Sequence, residues 1–122
     1  MNILFVDDEK VISQSLIEFL LSKGHFVKYC DTVMDSHTEI YTNRFDLAII
    51  DLMLPPTYSN EGLDVLSKLK KNNPGMQVIM ISQKSEKMTS IVNRAFSIGI
   101  LAFLDKGDAD FMEQLNISIG EI

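Results

Sequence analysis

Short runs of apolar residues recur along the chain and are separated by longer amphipathic segments. Five of these runs have the length of a strand, and most are apolar throughout rather than alternating with polar residues. Continuous aliphatic runs are typical of parallel strands that helices cover on both faces of the sheet. The second run is less apolar, which predicts an edge strand. The five runs are residues 3–6, 25–30, 47–50, 78–81 and 101–104.

The segments between the runs carry apolar residues at helical spacing. Residues 10–23 are predicted to form the first helix, with Gly24 as its left-handed stop. A more polar helix is predicted over residues 33–42, and Asn60 is predicted to cap the third. The last two helices are marked by Met88, Ile91, Val92, Ala95 and Phe96, and by Phe111, Leu115, Ile119 and Ile122. Strands alternating with helices predict an α/β fold of three layers around a five-stranded parallel sheet.

Length and composition are those of one soluble globular domain. The chain has 122 residues, assigned here to a single domain over residues 1–122, and 46% are hydrophobic. A net charge of −6 argues against direct nucleic-acid binding by this domain. The single Cys30 excludes an intrachain disulfide and suits a reducing compartment. Asp7 and Asp8 interrupt the first apolar run too early for a signal peptide or membrane span, so we expect a cytoplasmic protein without membrane attachment.

Reactive polar residues follow four of the predicted strands. Asp7 and Asp8 follow the first, Asp51 ends the third, Ser82 ends the fourth, and Lys106 follows the fifth. Each has an ordinary explanation by itself, since Asp8 or Ser82 could cap a helix and Lys106 could be a surface lysine. Open α/β sheets bind ligands at the carboxyl ends of their strands, which share one edge. Convergence of these five side chains at that edge predicts a functional site.

The residue types indicate the chemistry of that site. Carboxylates held close together repel one another unless a cation neutralises them, and an all-oxygen set favours a hard ion such as Mg²⁺. Asp7 and Asp8 would hold the metal, and Asp51, at the centre of the sheet, is the candidate nucleophile that forms an aspartyl phosphate. The metal and Lys106 would neutralise the transferring phosphoryl group, and Ser82 could donate a hydrogen bond to one of its oxygens.

Four short segments together resemble the receiver domain of response regulators in two-component signal transduction. They are Val6-Asp7-Asp8, Ile50-Asp51-Leu-Met-Leu-Pro55, Ile81-Ser82 and Phe103-Leu-Asp-Lys106. The resemblance covers essentially the whole chain and implies a doubly wound (βα)5 flavodoxin-like fold with strand order 2-1-3-4-5. It implies that Asp8, Asp51 and the main-chain carbonyl of Met53 bind Mg²⁺, which Mn²⁺ can replace, and that Asp7 acts directly or through water.

The resemblance also implies a role and a switch. The chain would be a signalling phosphoacceptor rather than an enzyme, and Asp51 would be phosphorylated by a histidine kinase or a histidine phosphotransfer domain of a phosphorelay. Phosphorylation would draw Ser82 toward the phosphate and turn Phe103 inward. The face of the fourth helix, fifth strand and fifth helix would then change its contacts with a partner or with a second copy in a homodimer. Residues that belong either to this face or to an ordinary solvated surface are Lys84, Lys87, Arg94 and Ile98.

Three features depart from the family pattern. Gly107 stands where a proline often follows the lysine, so we expect a more mobile loop there. Gln83 stands where Ala or Gly usually follows the switch hydroxyl, and we expect its side chain to slow access of water or of the phosphodonor. The loop from Pro55 to Gly62 is a few residues longer than is common. Each departure affects rates and leaves every reacting group in place.

Three other functions stay open. A small phosphohydrolase with an aspartyl-phosphate intermediate would need an acid two residues after Asp51, where the chain has Met53. A flavodoxin-like nucleotide or flavin module would need a glycine-rich loop after the first strand. A pseudo-receiver would signal without phosphorylation, but such domains usually lack an acid or the lysine. Because receivers more often carry an output domain, we expect this chain to be the first domain of a longer regulator rather than a stand-alone receiver.

Overall fold

The computed structural model describes residues 1–83 and 89–122, in which strands and helices alternate. The α/β prediction is confirmed, and most predicted elements lie within one or two residues of the observed ones. In chain order the elements are β1 (Asn2–Val6), α1 (Lys10–Ser22), β2 (Phe26–Cys30), α2 (Val33–Thr42), β3 (Leu47–Asp51), α3 (Glu61–Asn72), β4 (Gln77–Ser82), α4 (Thr89–Ile98), β5 (Ala102–Asp105) and α5 (Phe111–Gly120).

The strands form one parallel sheet in the order β2-β1-β3-β4-β5, as predicted. The central strand β3 therefore lies between β1 and β4, and β2 is at an edge. The pairing register aligns Val6 with Ile50, Asp51 with Ile81, and Ser82 with Asp105. The residues at the carboxyl ends of four strands thus meet at one edge of the sheet.

Each face of the sheet is covered by its own hydrophobic core. Successive side chains of a strand point to opposite faces, so the apolar strands supply both cores at once. In β3, Leu47 and Ile49 pack with residues of α1 and α5, whereas Ala48 and Ile50 pack with residues of α2, α3 and α4. These four side chains are fully buried, which explains why the run is apolar at every position.

The helix ends separate correct from incorrect predictions. Gly24 has a φ of 88° and its amide donates to the Leu21 carbonyl, as expected for the residue that stops α1. Asn60 occupies the position before α3, but its side chain makes no capping hydrogen bond, so that prediction is wrong. Ile122 is also wrongly placed, because α5 ends at Gly120 and Ile122 is 45% exposed. Met88, predicted in the fourth helix, lies outside the described residues.

Candidate functional site

Asp51 lies at the carboxyl end of the central strand, with its side chain buried beneath the sheet edge. The residue is only 2% exposed. Its Oδ1 accepts a hydrogen bond from the Met53 amide at 3.1 Å, and its Oδ2 accepts one from the Lys106 ammonium at 2.8 Å. The prolines that follow in the chain cannot extend the strand, so the backbone turns away and leaves the carboxylate facing the edge.

The acidic pair lies beside Asp51. Asp7 is fully buried, its Oδ1 accepts from the Glu9 amide at 2.9 Å, and its main-chain carbonyl accepts from the Tyr29 hydroxyl at 2.5 Å. Asp8 is half-buried. One carboxylate oxygen from each of Asp7, Asp8 and Asp51 lies within 4.8 Å of the other two. Three converging carboxylates, one of them open to solvent, fit a hard divalent cation such as Mg²⁺ that keeps some of its water ligands.

Lys106 forms ion pairs with Asp7, Asp51 and Glu9. Its side chain is 1% exposed, and its ammonium lies 2.8 Å from Asp51 Oδ2, 3.1 Å from Asp7 Oδ2 and 2.8 Å from Glu9 Oε1. The Lys106 amide donates to the Ser82 carbonyl at 3.0 Å, which fixes the start of the β5–α5 loop against the end of β4. Burial lowers the pKa of Lys106, but the hydrogen bonds to Asp51 and Glu9 outweigh it and raise the pKa above the ordinary value.

Glu9 is a contact that the sequence analysis missed. Its carboxylate is 41% exposed, yet it reaches the buried ammonium of Lys106. The sequence offered one indication of this contact, a third acidic residue directly after the acidic pair. Position alone did not show whether Glu9 would face the site or the solvent, because it precedes the first helical residue and its direction depends on the local backbone.

The surroundings of Asp51 make its ionisation harder than that of an ordinary aspartate. Burial and the negative charge of Asp7 raise the pKa of Asp51 from 3.8 to about 7, although the hydrogen bonds from Lys106 and from the Met53 amide act in the opposite direction. The ammonium of Lys106 thus compensates part of the carboxylate repulsion. A divalent cation next to the carboxylates would compensate the remainder.

The predicted switch residues lie on β4 and β5, the two strands that follow β3 in the sheet. Ser82 is fully buried at the end of β4, and its hydroxyl donates to the Gln83 carbonyl at 3.3 Å. Phe103 is half-buried and packs on the core beneath α2, α3 and α4. The Gln83 amide oxygen would lie 3.4 Å from a Cβ added to Gly107, so this side chain leans over the β5–α5 loop.

The predicted signalling face is described only in part. Lys84 and Lys87 lie outside the described residues. Arg94 is exposed on α4, whereas Ile98 is half-buried and packs on the core beneath α2, α3 and α4. Arg94 is thus available at the surface for a partner, and much of Ile98 is used for internal packing.

The β3–α3 loop is fixed against the site by a close backbone contact. A Cβ added to Gly62 would lie 2.2 Å from the Asp51 carbonyl oxygen, so only glycine fits at this position. The Gly62 amide donates to the Leu52 carbonyl at 2.9 Å. Earlier in the same loop, the Asp8 carboxylate raises the pKa of the Tyr58 phenol.

Comparison with known proteins assigns the family. Residues 3–115 match the response regulator receiver domain. The chain belongs to this family. Receiver domains of response regulators bind Mg²⁺ and are phosphorylated by histidine kinases in two-component signalling. The acidic cluster, the central aspartate and the buried lysine described above therefore lie in a domain whose family has this chemistry.

Curated relatives are transcriptional regulators that are longer than this receiver domain. The probable transcriptional regulator ycf29 of Pyropia yezoensis is 27% identical over 86% of this chain and 46% of its own length. Transcriptional regulatory protein CusR of Escherichia coli K12 is 30% identical over 67% of this chain and 35% of its own length. The chain thus spans less than half the length of these relatives.

Solved structures show the same fold. A CheY-like response regulator receiver domain protein from Methanospirillum hungatei JF-1 has a TM-score of 0.84 and 28% identity, covering 98% of this chain and 90% of that one. The non-phosphorylated HemR receiver domain from Leptospira biflexa has a TM-score of 0.85 at 22% identity, covering 98% and 91%. Among the described residues of this receiver domain, no helix is both long and apolar enough to cross a lipid bilayer.

Proposed function

We propose that this receiver domain accepts a phosphoryl group on Asp51 in a Mg²⁺-dependent reaction, from the phosphohistidine of a histidine kinase or a histidine phosphotransfer domain. The observation that carries the proposal is the contact of the buried Asp51 with Lys106, next to the acidic pair, at the carboxyl edge of the sheet. In this proposal residues 1–122 form one receiver domain that works in the cytoplasm as a signalling phosphoacceptor, without enzymatic turnover of a separate substrate.

The reaction would proceed by in-line displacement at phosphorus. An oxygen of the Asp51 carboxylate forms the new P–O bond while the P–N bond to the donor imidazole breaks, and the electron pair of that bond stays on the imidazole nitrogen. The Lys106 ammonium, 2.8 Å from Asp51 Oδ2, is placed to neutralise charge on the phosphoryl oxygens. Asp7, Asp8, Asp51 and the Met53 carbonyl would hold Mg²⁺, which supplies further charge neutralisation when bound.

The phosphorylated state would be read out through Ser82 and Phe103. New phosphoryl oxygens at Asp51 gain a partner when the Ser82 hydroxyl leaves the Gln83 carbonyl and turns toward them. A group that gains partners in one of two arrangements shifts the population toward that arrangement. Phe103, only half-buried before the switch, would turn inward and alter the α4–β5–α5 face that meets an output domain, another partner or a second copy.

The test is intact-mass measurement after incubation with Mg²⁺ and a small acyl phosphate. We expect one added phosphoryl group on the wild type and on the control Asp64→Asn, whose exposed acid lies on α3. Asp51→Asn, or wild type with a metal chelator, should gain none. If neither the wild type nor the Gln83→Ala variant gains a phosphoryl group, the proposal is contradicted and a pseudo-receiver is favoured. Modification of Asp51→Asn to the wild-type extent would contradict Asp51 as the acceptor.

A further inference from the structure

Glu9 is the solvent-facing member of the three carboxylates that pair with Lys106. The side chains of Asp7 and Asp51 are 0% and 3% exposed, whereas that of Glu9 is 41% exposed. Glu9 Oε1 and Asp51 Oδ2 each lie 2.8 Å from the Lys106 ammonium, so these two carboxylate oxygens are no more than about 5.6 Å apart. Glu9 therefore brings a carboxylate from the solvent side to the immediate neighbourhood of Asp51.

The local backbone holds Glu9 in this position. Its amide donates to Asp7 Oδ1 at 2.9 Å, and its carbonyl accepts from the Ser13 amide at 2.9 Å. Glu9 directly precedes α1, where a polar side chain often caps the helix, but the Glu9 side chain makes no capping hydrogen bond. Its carboxylate contacts Lys106 instead.

Lys106 does not need Glu9 for its charge to be balanced. The buried carboxylates of Asp7 and Asp51 already outnumber the single ammonium, and ion pairs that involve an exposed partner contribute little to stability. Glu9 instead adds a negative charge at the side from which a phosphodonor reaches Asp51. The repulsion between this carboxylate and an approaching donor grows with the negative charge of the donor, and salt weakens it because Glu9 is exposed.

The charge of a small phosphodonor depends on the atom that is linked to phosphorus. Acetyl phosphate is a dianion at neutral pH, whereas phosphoramidate is protonated on nitrogen and is a monoanion. A phosphohistidine that is protonated on its ring is likewise less negative than an acyl phosphate. Asp51 would form the same new P–O bond with each donor. With acetyl phosphate the P–O bond to acetate breaks, with phosphoramidate the P–N bond breaks, and the leaving acetate or ammonia keeps the electron pair.

We propose that Glu9 is a specificity-determining residue for the phosphodonor: its carboxylate favours nitrogen-linked donors of low negative charge, the class to which phosphohistidine belongs, over dianionic acyl phosphates. The inference rests on the proposed function, because it assumes that Asp51 accepts the phosphoryl group. Acyl phosphates still react, at a lower rate. Glu9 acts through its charge and forms no bond to phosphorus.

Glu9→Gln removes the charge and keeps an oxygen that can accept from Lys106. For unit charges about 6 Å apart in salt solution, we expect phosphorylation to become about 4-fold faster with acetyl phosphate and about 2-fold faster with phosphoramidate. The preference for phosphoramidate should thus fall about 2-fold. Glu9→Asp retains the charge and should retain most of the preference. Glu121→Gln, which removes a charge at an exposed position after α5, is the control and should change neither rate.

The experiment measures intact mass against time for the whole chain, with each donor and with saturating Mg²⁺ for each variant. Dividing the rate of a variant by the rate of the wild type with the same donor cancels the difference between the leaving groups. The measurement is repeated in about 1 M KCl, where exposed charges are screened over a few ångströms. We expect the gain of Glu9→Gln with acetyl phosphate to shrink there, whereas a merely structural effect of the substitution would persist.

The outcomes distinguish the two proposals. A wild type that gains a phosphoryl group from neither donor would overturn the proposed function and with it the role of Glu9. A phosphorylated wild type whose donor preference is unchanged in Glu9→Gln would overturn only the inference about Glu9. Equal losses of rate with both donors would also overturn it, since Glu9 would then only hold Lys106 in place. A larger gain with acetyl phosphate that shrinks in KCl supports both proposals.

Discussion

Replacing Asp51 with asparagine should stabilise the metal-free protein. In the wild-type site, Asp7, Glu9 and Asp51 surround the ammonium of Lys106, and the Asp8 carboxylate lies close to those of Asp7 and Asp51. The asparagine side chain has nearly the same shape as the aspartate it replaces, and its carbonyl oxygen could still accept from Lys106. The substitution removes one negative charge from a crowded and buried cluster, while Asp7 and Glu9 remain to pair with the ammonium.

The pKa of Asp51 sets the size and the sign of the effect. Because its pKa is raised from 3.8 in the unfolded chain to about 7 in the folded protein, ionisation of Asp51 destabilises the fold. The cost is absent below about pH 4, grows as the pH rises toward 7, and then levels off. A difference of about 3 pH units, at about 1.36 kcal/mol each, gives about 4 kcal/mol at full ionisation and less than half of that at pH 5.

The assay is urea unfolding followed by circular dichroism, with a chelator present, at pH 5 and at pH 8. Asp51→Asn should be the more stable protein at both, and its advantage should widen with pH. Asp64→Asn makes the same change of charge on α3 and should alter stability by no more than about 0.5 kcal/mol. An Asp51→Asn variant that is less stable than wild type at pH 8, or an advantage that does not grow with pH, would refute the carboxylate-repulsion argument.

Mg²⁺ should raise the melting temperature of the wild type and raise that of Asp51→Asn less.

Three further substitutions test other parts of the account. Lys106→Met leaves Asp7 and Asp51 without their buried cation and should cost about 3 kcal/mol in urea unfolding at pH 7, whereas the exposed control Lys71→Met should cost little. Equal losses in the two variants would contradict the role of the buried pairs. Gly62→Ala forces a Cβ to within 2.2 Å of the Asp51 carbonyl oxygen and should destabilise the fold by about 2–3 kcal/mol, while Gly120→Ala, with open space around it, should be nearly neutral. A Gly62→Ala variant as stable as Gly120→Ala would disprove the close contact. Gln83→Ala should shorten the lifetime of the phosphorylated protein, measured by loss of the phosphoryl group with time, and Gln77→Ala at the opposite edge of the sheet should not. An unchanged lifetime in Gln83→Ala would contradict the expectation that the Gln83 side chain slows access of water to the site.

The pattern of the sequence predicted the sheet and the location of the site because both follow from local rules. Apolar runs such as the one that ends at Asp51 predict buried parallel strands, and parallel strands bring their carboxyl ends to one edge. Asp7, Ser82 and Lys106 could then be placed near Asp51 from their positions after the strands. The observed register, with Asp51 opposite Ile81, agrees with that placement.

The contacts that the sequence could not predict are made by residues in the loops. Asn60 has the residue type of a helix cap, but Glu61 at the next position forms hydrogen bonds to the loop, and Asn60 makes no capping bond. The contact of Glu9 with Lys106 joins residues 97 positions apart in the chain. Such contacts depend on where loop backbones turn, and hydrophobic periodicity contains no information on this.

The central claim is that Asp51 carries the phosphoryl group, and chemical trapping tests it most directly. After reaction with an acyl phosphate and Mg²⁺, borohydride reduces an aspartyl phosphate to homoserine, whose position tandem mass spectrometry of the peptides can locate. We predict homoserine at position 51 and unmodified residues at Asp7, Asp8 and Glu9. Homoserine at position 7 or 8, the corresponding five-carbon hydroxy amino acid at position 9, or no reduced residue at all, would contradict the account.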